Sequence, residues 1–329
     1  MSDTASLSIR QPQRTGAWAE SLMGLVQGLF WVEKFREAGV ILCCFAVLIT
    51  ATANAAEQTN TENSDESSAL DRRIEIERKT RYQSFVLTPH KPNYILPITY
   101  NDNPNNAAID TSREGELDRY EVKFQFSVKF PIVENLFGEQ GSLQFAYTNL
   151  SFWQAYNATV SYSFRETVHE PELFLIFQND WTFLDLDNRL IQLGIVHQSN
   201  GRSAEQSRTW NRIYADFIFQ RGDYYLSVKP WYHLKDTSAA KDDNPDIGSY
   251  LGHGEIRAAY AGGKHTVSIM LRNYIENSNY GAIEANWSFP MTRRVKWFVQ
   301  YFNGYGESLI DYNARVNRLG IGIAFTDWL

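Results

Sequence analysis

The sequence predicts an all-β protein of one kind, a transmembrane antiparallel β-barrel, and three observations carry that prediction. Strict two-residue alternation of apolar and polar side chains recurs along most of the chain. The apolar faces are rich in rings: 9 Trp, 18 Tyr and 20 Phe make up 14% of the 329 residues. An apolar segment near the start has the parts of an export signal. Alternation sends successive side chains to opposite sides of a strand, and aromatic girdles at both interfaces mark membrane barrels.

The export segment is residues 38–56, which carry no charge. Lys34, Arg36 and Glu37 precede it, and Ala53-Asn54-Ala55-Ala56 ends it. A basic flank, a short apolar core and a small-x-small site make a secretory signal peptide. Its 19 uncharged residues could nearly span a bilayer as an anchor. The last third is small and polar, however, which favours cleavage after Ala55. The stretch ahead of Lys34 is long for such a signal, so Met23 is an alternative start. Cys43 and Cys44 both lie in this run, so the mature chain would have no cysteine. That excludes a disulfide scaffold and a thiolate enzyme. A net charge of −7 gives no basic face for nucleic acid.

The expected organisation is a signal peptide (1–55), an N-terminal polar tail (56–90) and the barrel domain (91–329). Residues 57–80 read as a mobile tail with one helical turn or two. Pro89, Pro92 and Pro97 mark an irregular apolar stretch. After residue 56 no apolar run has the length of a spanning helix.

The strands follow. Over residues 120–130, Tyr120, Val122, Phe124, Phe126, Val128 and Phe130 share one face, while Glu121, Lys123, Gln125, Ser127 and Lys129 share the other. Leu143, Phe145 and Tyr147 alternate with Gln144, Ala146 and Thr148. Tyr224, Leu226 and Val228 alternate with Tyr225, Ser227 and Lys229. Near the end, Leu319, Ile321, Ile323 and Phe325 face away from Gly320, Gly322 and Ala324. A soluble β-sandwich also alternates. Three features favour a membrane barrel instead. The apolar faces are large and aromatic on strands of about ten residues. Lys123, Lys129 and Lys229 fall on the opposite face. Tight links at 261–264 and 290–293 alternate with long loops such as 235–250. The chain ends in Phe325-Thr326-Asp327-Trp328-Leu329, with Leu where barrel proteins usually close on Phe.

One strand pair carries chemistry. Ile191, Leu193 and Ile195 form an apolar face, and the same parity continues to His197 and Ser199. On the following strand Asn211 shares parity with Ile213, Ala215, Phe217 and Phe219. A hairpin across loop 200–209 brings Asn211 beside His197. A serine hydroxyl needs a base to become a nucleophile, and histidine serves near neutral pH. An asparagine can hold the imidazole in the right tautomer. Gly201 could present a backbone N–H to an oxyanion. The plainer reading remains open: a His-x-Ser pair recurs by chance, and a rim histidine is ordinarily an interface residue. A site on the apolar face suits a bilayer lipid, not a soluble substrate.

These residues also resemble a known family. His197-Gln198-Ser199-Asn200-Gly201-Arg202-Ser203, followed by Ser207-Arg208-Thr209-Trp210-Asn211-Arg212, is similar to the active-site strand pair of outer membrane phospholipase A. Further likenesses are Phe164-Arg165-Glu166-Thr167 with Glu170-Pro171, Val228-Lys229-Pro230-Trp231-Tyr232, Asp242-Asp243-Asn244-Pro245-Asp246 and the run 304–313. They span roughly residues 82–329. The resemblance implies a barrel of about twelve strands in the bacterial outer membrane that hydrolyses phospholipids and lysophospholipids as a phospholipase A1/A2, with calcium, as a homodimer. It implies Ser199 as nucleophile, His197 as base, Asn211 as its orienting partner and Gly201 as oxyanion donor. Calcium would take the Ser207 hydroxyl, the Arg202 carbonyl and an oxygen at the position of Ser161 in the partner subunit. Asp243 matches a ligand of a second, monomer-state calcium, whose acidic companion is here replaced by Ala204. The family's polar dimer-interface residue corresponds to Asn149, which parity puts on the lipid face; an amide there needs a partner.

Two other classes stay in view. A passive pore would need an open lumen and no Ser/His pair outside, whereas Glu121, Lys123 and Lys129 could pair and fill a narrow barrel. A non-catalytic adhesin or scaffold would respond neither to calcium nor to a serine-reactive sulfonyl fluoride.

Overall fold

Alternating sequence becomes a closed wall of strands in the computed structural model, which describes residues 68–329 except 81–82, 84–85, 109–114, 137–140, 159–163, 235–242, 274–279 and 329. The expected signal peptide, the alternative start at Met23 and Ser161 lie outside the described residues. The strands are β1 (Thr88–Pro89), β2 (Asn93–Asn101), β3 (Tyr120–Leu136), β4 (Gly141–Trp153), β5 (Phe164–Gln178), β6 (Thr182–Phe183) and β7 (Leu186–Ser199). They continue as β8 (Thr209–Arg221), β9 (Tyr224–His233), β10 (Gly254–Gly262), β11 (His265–Asn273), β12 (Gly281–Pro290), β13 (Lys296–Gly304) and β14 (Val316–Thr326). β1 and β6 are two-residue pieces; the other twelve form the barrel, each antiparallel to its neighbour, with β14 closing on β2. Two-residue turns such as Gly222-Asp223 and Gly263-Lys264 join strands at one end, and the long connections lie at the other.

Closure requires a local irregularity. Pro97 has no N–H for the ladder, and the register slips between Leu96 and Thr99 on one side and between Ile321 and Ile323 on the other. A Cβ on Gly322 would lie 2.1 Å from the Ile95 carbonyl oxygen. Only glycine lets the two backbones approach there.

Burial decides between sandwich and membrane barrel. Lys123 and Arg318 are each 2% exposed, whereas Ile195 and Phe126 are 51% and 53% exposed. Charge inside and apolar side chains outside is the reverse of a soluble protein, and it fits a lipid surround. Among the described residues no helix is long and apolar enough to cross a membrane.

Charged side chains cross the lumen, with cavities of about 260 and 190 Å³ left between them. Near the loop end, Arg165 donates to both Glu121 carboxylate oxygens at 3.0 Å and to Asp311 at 2.6 Å. Arg318 reaches Glu121 at 2.7 Å and Glu307 at 2.8 Å, and Lys123 reaches Glu307 at 2.8 Å. The fully buried Phe152 ring stands among these three cations, 4.9–5.3 Å from each. Lower down, His90 and Lys91 each lie 3.0 Å from Glu172.

The polar tail is more ordered than the sequence suggests. Ala69–Thr80 is a helix, α1, of 12 residues rather than a turn or two. Ser68 caps it: its Oγ accepts from Asp71 N at 3.1 Å and donates to the Asp71 carboxylate at 2.7 Å. Leu70 is buried with Leu190, Ile218 and Tyr225. Arg73 donates to the carbonyls of Trp328, Pro89 and His90 at 2.7–3.0 Å, and Glu77 pairs with Lys129 at 2.9 Å. These contacts hold α1 across the turn-side mouth. Only one apolar residue of α1 is buried, too little to register as an amphipathic stripe.

Candidate active site

The site is built on the β7–β8 hairpin where the strands meet the long loops. The register sets His197 opposite Asn211 and Ser199 opposite Thr209. His197 Nδ1 and Asn211 Oδ1 are 2.6 Å apart. A carboxamide oxygen only accepts, so His197 carries its proton on Nδ1 and leaves Nε2 as the free base. Ser199 lies two residues further along β7 on the same face, about 6.6 Å on in Cα position. Exposed Leu193, Ile195 and Ile213 share that face, so all three residues stand on the lipid-facing wall.

Inward-pointing neighbours hold this strand pair from behind. Gln198 donates to Glu170, whose other oxygen takes Lys91. On β8, Arg212 stacks 3.9 Å over Trp210, and Trp210 meets Trp231 edge-on at 5.7 Å. The outward residues are thereby fixed on a rigid support.

Beyond the strands, loop 200–208 is organised by Asn200. Its Nδ2 donates to the Gln206 carbonyl at 2.8 Å and to Glu166 at 3.4 Å, and its Oδ1 accepts from Arg208 N at 3.0 Å and Arg202 N at 3.3 Å. Gly201 sits within this turn at φ +62°, a left-handed conformation that favours glycine. The Arg202 side chain is drawn back onto Glu166 at 3.6 Å and onto the Phe164 and Arg165 carbonyls.

The oxygen ligands expected for a cation fall close together in part. Ser207 Oγ donates to Asp243 Oδ2 at 2.5 Å, and Arg202 belongs to the same loop. The described residues contain no group of three His, Cys, Asp or Glu that could hold a metal. Hydroxyl, carboxylate and carbonyl oxygens are donors that suit a hard cation such as calcium rather than zinc.

Asn244 is a residue the sequence did not single out for a role. It is buried, and its amide pairs with the Thr209 backbone in both directions, each at 2.9 Å. That pairing ties the Asp243 segment to the start of β8. Tyr312 adds a second tie by donating to Asp246 at 2.6 Å. Burial and then the Asp246 carboxylate push the Tyr312 phenol above its usual range, so it stays a donor at every physiological pH. Side-chain mimicry of a strand leaves no periodic trace, and this is why alternation missed Asn244.

Asn149 faces outward on β4, as parity predicted, and its Oδ1 accepts from Ser151 Oγ at 3.0 Å. It pairs with His169 on β5, which in turn pairs with Ser199. The candidate dimer residue is therefore two strands from the nucleophile, roughly 10 Å away.

Comparisons with known proteins point to one family. The family model described as phospholipase A1 matches residues 70–325. A phospholipase A1 of Klebsiella pneumoniae is 41% identical over 244 residues, 74% of this chain and 83% of the relative. The crystal structure of the Salmonella typhi outer membrane phospholipase dimer with bound calcium is 38% identical, with a TM-score of 0.71, and the match covers 75% of this chain and 95% of that one. The Escherichia coli outer membrane phospholipase A, as an active-site mutant with asparagine changed to alanine, is 35% identical with a TM-score of 0.68 and the same coverage, 75% and 95%.

Proposed function

This chain belongs to the phospholipase A1 family, an ester hydrolase of the bacterial outer membrane, and on that premise we propose that it cleaves acyl esters of phospholipids and lysophospholipids with a Ser199–His197–Asn211 triad, in a calcium-dependent homodimer. The observation that carries this reading is the 2.6 Å bond between His197 Nδ1 and Asn211 Oδ1 on the lipid-facing wall. An asparagine in the active site of the Escherichia coli relative supports the third member.

Nε2 of His197 takes the Ser199 proton as Oγ attacks the ester carbonyl. The carbonyl π electrons move to oxygen, and the Gly201 N–H donates to that oxyanion. His197 then returns the proton to the departing alcohol, leaving an acyl-enzyme. Water, activated by the same Nε2, releases the fatty acid and restores Ser199. Asn211 holds the tautomer throughout.

Calcium bound here would supply positive charge beside the oxyanion. The Ser207 hydroxyl and the Arg202 carbonyl would hold it, with Ser161 contributing from the partner subunit; Asp243 would belong to the second, monomer-state calcium, whose other acid is replaced by Ala204. The dimeric, calcium-bound Salmonella typhi relative supports both parts. Asn149 would lie in the dimer contact, so a monomer with an incomplete calcium shell stays silent until lipid asymmetry fails. Export by a signal peptide of residues 1–55 goes with this reading.

A sulfonyl fluoride tests it. In calcium the reagent is expected to modify Ser199, with little labelling in chelator. Labelling elsewhere, or none in calcium, would remove Ser199 as the nucleophile. Asn244→Ala should raise the calcium needed for half-maximal activity several-fold, because the Asp243 segment loses its tie to Thr209. An unchanged calcium titration would show that the Asp243 segment does not help hold Ser207 for calcium.

A further inference from the structure

A second imidazole stands on the outer wall beside the nucleophile, and the triad does not use it. His169 on β5 lies opposite Ser199 in one register and opposite Asn149 in the other. Its Nδ1 is 2.6 Å from the Tyr147 hydroxyl. Tyr147 is nearer the turn end of the barrel than Asn149, so the Nδ1 edge of the ring faces down the wall. The opposite edge faces the loop end: a Cβ placed on Gly201 would lie 3.9 Å from His169 Cδ2 and 4.0 Å from Nε2.

An imidazole in an apolar wall is costly unless its nitrogens find partners. Where the Tyr147 hydroxyl donates to Nδ1, the ring proton sits on Nε2. Nε2–H is then a donor on the water side of Ser199, next to Gly201. A phospholipid whose acyl ester reaches Ser199 has its phosphodiester further toward water, separated by the glycerol linkage. That donor and that anion meet in one place.

We propose that His169, oriented by Tyr147, is a specificity residue whose Nε2–H binds the substrate phosphodiester and so favours phospholipids over neutral glycerolipids. The inference rests on Ser199 being the nucleophile. It adds a headgroup contact that the triad itself does not supply.

The test compares kcat/KM for a phosphatidylcholine and for a diacylglycerol with the same acyl chains. Both are presented in the same non-ionic micelles with calcium. His169→Phe is expected to lower the phosphatidylcholine-to-diacylglycerol ratio about tenfold, the loss of one hydrogen bond to a charged group. His169→Gln keeps an N–H donor and should recover part of the ratio. An unchanged ratio in His169→Phe overturns the proposal. Equal losses on both lipids overturn it too, by moving His169 to the ester oxygen. So does a loss that tracks weaker dimer cross-linking, which would make the residue an interface contact. If the unaltered protein cleaves neither lipid, the proposed function fails instead, and that result is distinguishable from all of these.

Discussion

Ser199→Ala is expected to remove phospholipid hydrolysis by about 10⁴-fold or more while leaving a folded barrel. The size follows from what the hydroxyl does. Its oxygen is the only protein atom that forms a bond to the acyl carbon, so its loss forces direct attack by water. The oxyanion N–H and the lipid-binding wall remain, and they set the residual rate. Folding should be spared because Ser199 is at the strand end, on the face that meets lipid or substrate and not in the luminal network. Asn211→Ala should cost less, about 10- to 100-fold, because His197 keeps its position on β7 and loses one hydrogen bond to a ring that becomes charged. Initial rates on phospholipid micelles, with the heat-modifiable gel mobility of a folded barrel as the control, measure both. Retained activity in Ser199→Ala would sink the triad, and a larger loss in Asn211→Ala than in Ser199→Ala would reassign the roles.

Much of this site was legible because strand parity is a strict rule. His197 and Ser199 are two apart, and Asn211 has the same parity as Ile213, so their shared face could be read before any fold was known. The same rule placed Lys123 inside and Asn149 outside. Parity assigns a face but says nothing of which distant loop returns to it. Glu166 receives the Ile310 N–H from 144 residues away, and Asn244 meets Thr209 across 35; neither spacing is periodic. Helix α1 was missed for a related reason. Its anchors are Arg73 bonds to backbone carbonyls, one of them 255 residues distant, and carbonyl acceptors leave no mark on side-chain pattern. Calcium and the dimer were beyond alternation altogether, and they came from the likeness of the 197–212 segment to a family.

Arg165→Met is expected to destabilise the barrel by about 3–5 kcal/mol. The figure reflects what is left behind more than what is removed. Three cations, Arg165, Arg318 and Lys123, balance three anions, Glu121, Glu307 and Asp311, buried in the lumen. Without Arg165 the cluster keeps one uncompensated negative charge, and Glu121 is left with Arg318 as its ion partner. Asp311 retains hydrogen bonds from Ser308 at 2.9 Å and Asn105 at 3.1 Å, but no cation. The Met side chain replaces some of the contact with Phe152 and none of the charge. Asp311 also anchors the loop that gives its Ile310 N–H to Glu166, and Glu166 in turn holds Asn200 and Arg202. The loss should therefore spread to loop 200–208 and lower activity as well as stability. Equilibrium denaturant unfolding in detergent, compared with a change of all six charged residues to apolar ones of similar volume, separates the two causes. Because a fully apolar replacement strands no charge, it should be more stable than Arg165→Met alone. If the single variant unfolds at the same denaturant concentration as the native chain, the luminal charge cluster does not hold the barrel together.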